Sequence, residues 1–319
     1  MSFREEFATL SRMNICNYSW EVVFQMVRKW KRLGHEQTKT ALLALLPSFV
    51  VFSVFTIYPI FHSLYLSFFN VSLVATTKRY VGFGNYTTLL NNPTFRRAIT
   101  NTLHYTMGVV PVGIFLALVI AVLLNNRLRF LGFFRSAFFT PVITSMVAVS
   151  LVWTWMLEPN YGLINSLLSK IGITGPGWLT DPKWAMTSVI ILSIWKNLGY
   201  NMVIFLAGLQ DIPAEVYESA QIDGATSIQS FFRITIPMIK PTLGFATIMS
   251  IMGSMKVFGQ IYVMTGGGPA NSTMVVVYYL YQQAFEFYRT GYASAVAWIL
   301  FAVILVFTII QMRFFRTDY

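Results

Sequence analysis

Charge is what this sequence has least of: Asp, Glu, Lys and Arg make up 11% of its 319 residues, against 55% apolar side chains. A soluble domain cannot hide that much apolar surface, so a globular cytosolic protein is excluded and a polytopic membrane protein remains. Cysteine is nearly absent. Cys16 alone closes no internal disulfide and builds no thiolate metal site. The three histidines, His35, His62 and His104, are widely separated in sequence, which argues against a multi-histidine metal centre. Acidic residues number twelve, and none falls well inside an apolar run. That argues against an ion-coupled secondary transporter, which needs intramembrane carboxylates. The N-terminal residues carry charge and show no small-residue cleavage site behind a short apolar core, so no removable signal peptide is expected.

Apolar length is plentiful. A bilayer core needs roughly 20 apolar residues per helix, and six such runs are read, near 41–68, 102–124, 136–157, 184–207, 240–264 and 290–312. The expected fold is all-α, six core transmembrane helices that satisfy their own backbone hydrogen bonds. Residues 1–39 form a polar lead and residues 40–319 the transmembrane domain. Within the lead, "WEVVFQMVRKWKRL" sets Trp20, Val23, Phe24, Val27 and Trp30 near one helical face, an amphipathic helix for a membrane surface. The net charge of +11 is read as loop bias rather than nucleic-acid affinity. With the N-terminus inside, fourteen Lys and Arg fall on cytoplasmic segments and seven outside, which places both termini in the cytoplasm of a multi-pass protein of the cell (inner) membrane.

One segment breaks the apolar pattern. Residues 211–240 contain "EVYESAQIDGATSIQSFFRITIP", with Asp211, Glu215, Glu218 and Asp223 close together. Pro213 suits a helix first turn, and "AEVYESAQI" suits a short helix. Asp223-Gly224 signals a turn. A second helix, "ATSIQSFFRITI", follows and ends at Pro237 and Pro241. The expected object is a helix–turn–helix on the cytoplasmic surface. Catalysis by these carboxylates is not expected, because no nucleophile, metal set or Gly-Lys-Ser phosphate cradle accompanies them.

Glu218-Ser219-Ala220, three residues, Gly224, nine residues, Ile234, one residue and Ile236-Pro237 resemble the EAA loop of permease subunits in ATP-binding-cassette importers. Ser219 and Ile236 depart from the usual Ala and Leu while keeping size. Gly224 is followed by 95 residues, which matches the usual placement of the loop. "SMKVFGQIYVMTGGGPANST" (254–273) is similar to carbohydrate-uptake permeases of the maltose and glycerol-phosphate type, as are residues 81–106 and 141–165. Its Gly-Gly-Gly-Pro resembles the first of the two unlike permease subunits. The resemblance covers most of residues 41–316.

The resemblance implies that the loop docks in a cleft of an ATPase subunit. Ala220, Gly224 and the neighbouring Ser219 and Ala225 would allow close approach; Glu218 and Asp223 would either meet the partner or brace the loop. It also implies a second permease subunit, two ATP-binding-cassette subunits that carry ATP and Mg, and an external solute-binding protein. No cofactor is expected on this chain. The implied solute is a carbohydrate, an oligosaccharide, acidic ones included; a glycerol-phosphate-type solute is the alternative within the same class.

Polar residues inside apolar runs mark a pathway. The fourth run holds Lys196, Asn197, Gly199 and Asn201, and the fifth Ser250, Ser254, Lys256 and Gln260. Hydroxyls and amides suit sugar hydroxyls. By position, the maltose-type resemblance implies contacts from Gly199, Met202, Ser250, Ser254 and Val257. Met202 stands where that group has an aromatic residue, and Ser254 and Val257 stand where amides occur. Lys256 has two readings: a cation for an acidic sugar or phosphate ester, or a lysine that reaches the outer interface or a loop carboxylate. Lys196 is read as an interfacial or bundle lysine.

Overall fold

The computed structural model describes residues 35–72, 74, 78–125 and 130–314, so the amphipathic helix expected over 20–33 and Arg127, Arg129 and Arg316 lie outside the described residues. The chain divides into two units, up to His62 and from Ser63 onward. Among the described residues, five helical segments are long and apolar enough to cross a membrane: Lys39–Ser67, Pro93–Leu124, Ala185–Gln210, Lys240–Met264 and Thr290–Phe314. A sixth crossing is present if a bent helix pair counts as one span.

The first segment is α1 (His35–Phe52), a π turn at Ser53–Ile57 and α2 (Tyr58–Ser67). Large apolar side chains such as Leu43, Phe49, Phe55 and Phe61 point outward from it, as a lipid-facing helix requires. A two-stranded ladder then pairs Phe69 with Tyr80, and α3 (Gly84–Asn91) leads to α4 (Pro93–Leu124). The side chain of Asn92 accepts the N–H groups of Thr94 and Phe95, and Pro93 occupies the first turn where its missing N–H costs nothing. After α5 (Leu131–Ile143), α6 (Met146–Met156) and α7 (Leu163–Lys170), α8 (Ala185–Gln210) packs chiefly on α4 and α5.

Two apolar clusters hold the second unit together. One joins Phe95, Ala98 and Tyr105 of α4 to Met186, Val189 and Leu192 of α8, with Ile261, Met274 and Val275. The other joins Ala117, Ala121 and Leu124 of α4 to Met202, Phe205 and Leu209 of α8, with Ile239 and Ala246. Helices α4 and α8 therefore run in the same direction. The chain returns between them through α5, whose Leu131 and Phe138 pack on the second cluster, and α6, whose Val149 and Trp153 pack on the first.

That return differs from the single straight span expected at 136–157: α5 and α6 are bent by 96° at Thr144–Ser145. The bend ends the hydrogen-bond ladder of α5: the carbonyl of Pro141 still accepts from Thr144, while those of Val142 and Thr144 are left without a backbone donor. Lys196 of α8 meets them, its Nζ donating to the carbonyl oxygens of Pro141 (2.9 Å), Val142 (3.3 Å) and Thr144 (2.9 Å). This lysine is 6% exposed. It is a bundle lysine, held by the negative end of α5.

Replacing Lys196 by Met should leave the carbonyls of Val142 and Thr144 unmatched in apolar surroundings, at about 1–3 kcal/mol each. The expected outcome is a melting temperature in detergent at least ~5 °C below wild type; an unchanged melting curve would show that water or lipid serves the bend equally well.

Candidate functional site

Between the two apolar clusters, at mid-height on α4 and α8, lies a cavity of about 400 Å³. Its third wall is α12 (Lys240–Met255), which stops at Lys256 and resumes as α13 (Gly259–Met264); α9 (Ala214–Ile222), α10 (Ser227–Ser230) and α11 (Ile236–Met238) precede it in the chain. Phe258, at φ −146° and ψ −61°, leaves the helical region, and the ladder is interrupted at 256–258. Non-helical backbone at membrane depth is tolerated where it is buried in protein or lines a cavity. Here it lines one.

Of the residues expected on the pathway, Asn197, Asn201, Ser250, Ser254, Lys256, Val257 and Gln260 line this cavity. Asn197 and Asn201 are one helical turn apart and so share a face. Asn201 and Ser250 exchange hydrogen bonds between α8 and α12 at 3.2 and 3.4 Å. The hydroxyl of Ser254 lies 2.9 Å from the carbonyl of Ile251 and 3.1 Å from the hydroxyl of Thr106. Gln260 donates from Nε2 to the Tyr105 hydroxyl at 2.9 Å and to Ser193 at 3.2 Å. The walls thus set amides and hydroxyls among apolar side chains such as Val109, Met146, Ile194 and Met249, carry Lys256 as their charged residue, and are held by bonds between helices.

Two expected pathway residues sit elsewhere. Met202 is fully buried in the second apolar cluster. Gly199 faces α5, where an added methyl would overlap the backbone carbonyl of Phe138, so its smallness serves helix packing. Conversely, Tyr105, Tyr200, Gly253 and Phe258 line the cavity without having been singled out as pathway residues. Tyr200 was within reach of the sequence, one turn from Asn197; Tyr105 comes from a helix ninety residues earlier and carried no such signal.

The acidic segment forms a second site. Helix α9 ends in an αL turn: Gly224 has φ +78°, its N–H bonds the carbonyl of Gln221, and the N–H of Ala225 bonds that of Ala220 at 2.9 Å. This double bond pattern satisfies the last carbonyls of the helix. Thr226 and Gln229 then cap α10 reciprocally. The hydroxyls of Tyr217 and Thr235 meet at 2.9 Å and tie the two arms together. Ala220 turns inward and is buried, so the close approach it permits is within this chain. Glu218, Ser219 and Asp223 are exposed. Ser219 bonds back to Glu215, whereas among the described residues no hydrogen bond or ion pair engages either carboxylate. Sequence reasoning passed over Ile222 and Ile228, which flank the turn and are 86% and 72% exposed.

Residues 109–317 match the family model described as the binding-protein-dependent transport system inner membrane component. The chain belongs to that family. It is 38% identical over 279 residues to the probable ABC transporter permease protein YurN of Bacillus subtilis, covering 86% of this chain and 95% of that one. It is 40% identical over 271 residues to the lactose transport system permease protein LacF of Rhizobium radiobacter, covering 83% of this chain and 90% of that one. Among solved structures, a chain of a bacterial alginate ABC transporter in complex with an alginate pentasaccharide-bound periplasmic protein is similar at a TM-score of 0.78 and 28% identity, covering 90% of this chain and all of that one. The chain is thus a multi-pass membrane permease, and the bent pair and the broken α12–α13 segment are features of its transmembrane domain.

Two glycines of this permease should respond oppositely. Gly199→Ala forces α8 away from α5, with an overpacking cost of about 1–3 kcal/mol, and should lower the melting temperature. Gly253→Trp projects into open space in the cavity, since nothing lies within 4 Å of an added Cβ, and should leave it unchanged. Equal melting of the two variants would contradict this assignment of the cavity wall.

Proposed function

We propose that this permease forms one half of the translocation pathway of an ATP-driven importer for an oligosaccharide, with the cavity at 256–258 as the mid-membrane solute site. The observation that carries the reading is the wall itself. Amides and hydroxyls from α4, α8, α12 and α13 converge on it, locked by Asn201–Ser250 and Gln260–Tyr105 bonds, beside the aromatic faces of Tyr200 and Phe258. Fixed donors and acceptors next to an aromatic ring suit a hydroxylated ring solute. The lactose and alginate relatives support the same class of solute.

The remaining half of the pathway comes from a second, unlike permease subunit. Two ATP-binding-cassette subunits supply ATP hydrolysis with their bound ATP and Mg, and this chain performs no catalysis of its own. The 211–240 loop is cytoplasmic, as are both termini, in keeping with fourteen basic residues on that side against seven on the other. Glu218 and Asp223 face the ATPase cleft, flanked by Ile222 and Ile228, while Ala220, Gly224 and Ala225 set the loop's shape. That no described residue pairs with either carboxylate supports cross-subunit contact over bracing. At the opposite end, a segment with Gly266, Gly267, Ala270 and Asn271 at positive φ is clamped by Asn101, whose Nδ2 donates to the carbonyls of Asn271 and Met274 at 2.9 Å. This outer surface receives the external binding protein; the alginate complex supports such a partner.

The test is the complete importer in proteoliposomes, with ATP inside and binding protein outside. Gly224→Val places a β-branched residue in a left-handed conformation, at roughly 1–2 kcal/mol. It should cut solute-driven ATP hydrolysis about tenfold, whereas Gly224→Asn, which tolerates that conformation, should keep most of it. Gly253→Trp should block uptake while the complex still assembles. Full coupling in Gly224→Val would remove the loop from the mechanism, and full uptake in Gly253→Trp would remove the cavity.

A further inference from the structure

Lys196 and Lys256 lie inside membrane-spanning segments, away from the ends where Lys39 and Lys240 sit, and the structure treats them differently. Lys196 is buried and its ammonium is matched by three carbonyl oxygens. Lys256 is exposed at the break between α12 and α13 and lines the cavity, yet among the described residues no hydrogen bond or ion pair engages its ammonium. It is the one charged side chain in the described wall, and no carboxylate lines that wall to neutralise it. The C-terminal end of α12 offers at most about half a counter-charge, enough to tolerate the cation and too little to satisfy it. An unpaired cation at membrane depth is costly and marks function. Asn201 and Ser250, on the same wall, are spoken for by each other, so among the described wall residues Lys256 Nζ is the charged group left to engage a solute.

We propose that the solute carried through this cavity bears an anionic group, a carboxylate, sulfate or phosphate ester, which pairs with Lys256 while the amides and hydroxyls hold the rest of it. This rests on the reading of the cavity as the solute site and adds the charge of the solute to it. An ammonium accepts an anionic oxygen from many directions, so Lys256 selects charge without fixing ring geometry. Charge-assisted hydrogen bonds are about twice as strong as neutral ones. A neutral analogue of the same shape would leave the ammonium unpaired, and a site built around a charged partner rejects such analogues strongly.

The experiment uses the complete importer in proteoliposomes with ATP inside. Three probes are offered: uronate-containing oligosaccharides from a partial polysaccharide hydrolysate, the same oligosaccharides with carboxylates chemically reduced to alcohols, and glycerol 3-phosphate. Uptake is read by mass spectrometry for wild type, Lys256→Gln and Lys256→Arg, each checked for intact assembly by size exclusion. Wild type should take up an anionic probe at least tenfold better than the reduced sugars. Lys256→Gln should lose at least tenfold of that uptake, and Lys256→Arg should keep about half. Uptake of glycerol 3-phosphate alone, dependent on Lys256, would uphold the anionic group and assign it to a phosphate ester. Equal wild-type uptake of acidic and reduced sugars would overturn the proposal while leaving the oligosaccharide pathway intact. Undiminished acidic uptake in Lys256→Gln would overturn it as well, and so would equal loss of both sugars, which marks a contact with the second permease subunit. Entry of no probe at all would overturn both the oligosaccharide reading and this inference.

Discussion

The governing constraint on this chain is that a backbone carbonyl at membrane depth must find a donor inside the protein. Straight helices meet it automatically, and most of the apolar length here is spent on them. The departures are therefore where the structure becomes specific. At Thr144–Ser145 the chain turns by 96°, and the carbonyls so released converge on a single ammonium from α8. Lys196 thereby fixes the position of α5 against α8, and Gly199, one turn further on, lets the two backbones close up. Without that pair of devices α6 could not lie across the first apolar cluster and close one side of the cavity.

The cavity follows from how the two clusters are spaced. Each gathers its own layer of α4, α8 and the fifth span, and the cavity lies where the two meet, its wall mixing Val109, Val110, Ile194 and Leu198 with the polar side chains of Tyr105, Asn197 and Asn201. Polar groups there satisfy one another across helices rather than pointing at lipid. Asn201 with Ser250, Ser254 with Thr106, and Gln260 with Tyr105 and Ser193 make a wall that is preformed before any solute arrives. Such bonds are worth more in a low-dielectric layer than in water, so the wall is also a brace between α4, α8 and the broken fifth span.

Composition was enough to place the spans, because a run of about 20 apolar residues has few other uses. It was not enough to find the bend. Proline is no guide here: Pro47 and Pro111 sit inside α1 and α4 without ending them, and the turn comes after Pro141 at Thr144–Ser145. What permits it is a lysine more than fifty residues further along, and such a pairing is invisible to a local reading. The same asymmetry holds for the cavity. Asn197, Asn201, Ser250 and Gln260 stood out because they are polar in apolar surroundings, and they do line it. Gly199 and Met202 stood on a positional resemblance and pack in the bundle, whereas Tyr105 needed the α4–α8 contact to be known.

The acidic loop shows why small residues there need not touch a partner. A loop that transmits displacement must be stiff, and this one is closed at every joint. The αL turn at Gly224 ends α9, the Thr226–Gln229 box begins α10, and the Tyr217–Thr235 contact ties the arms. Ala220, buried within this chain, belongs to that interior. Closure with uncharged groups leaves Glu218 and Asp223 without a partner among the described residues, with Ile222 and Ile228 beside them. A π turn at Phe231–Thr235 then joins the loop to α11 and the start of α12, the helix that ends at Lys256. Under the proposed coupling role, a push on the loop would reach the cavity wall through Phe231–Met255, a run that is helical but for a turn at Ile239.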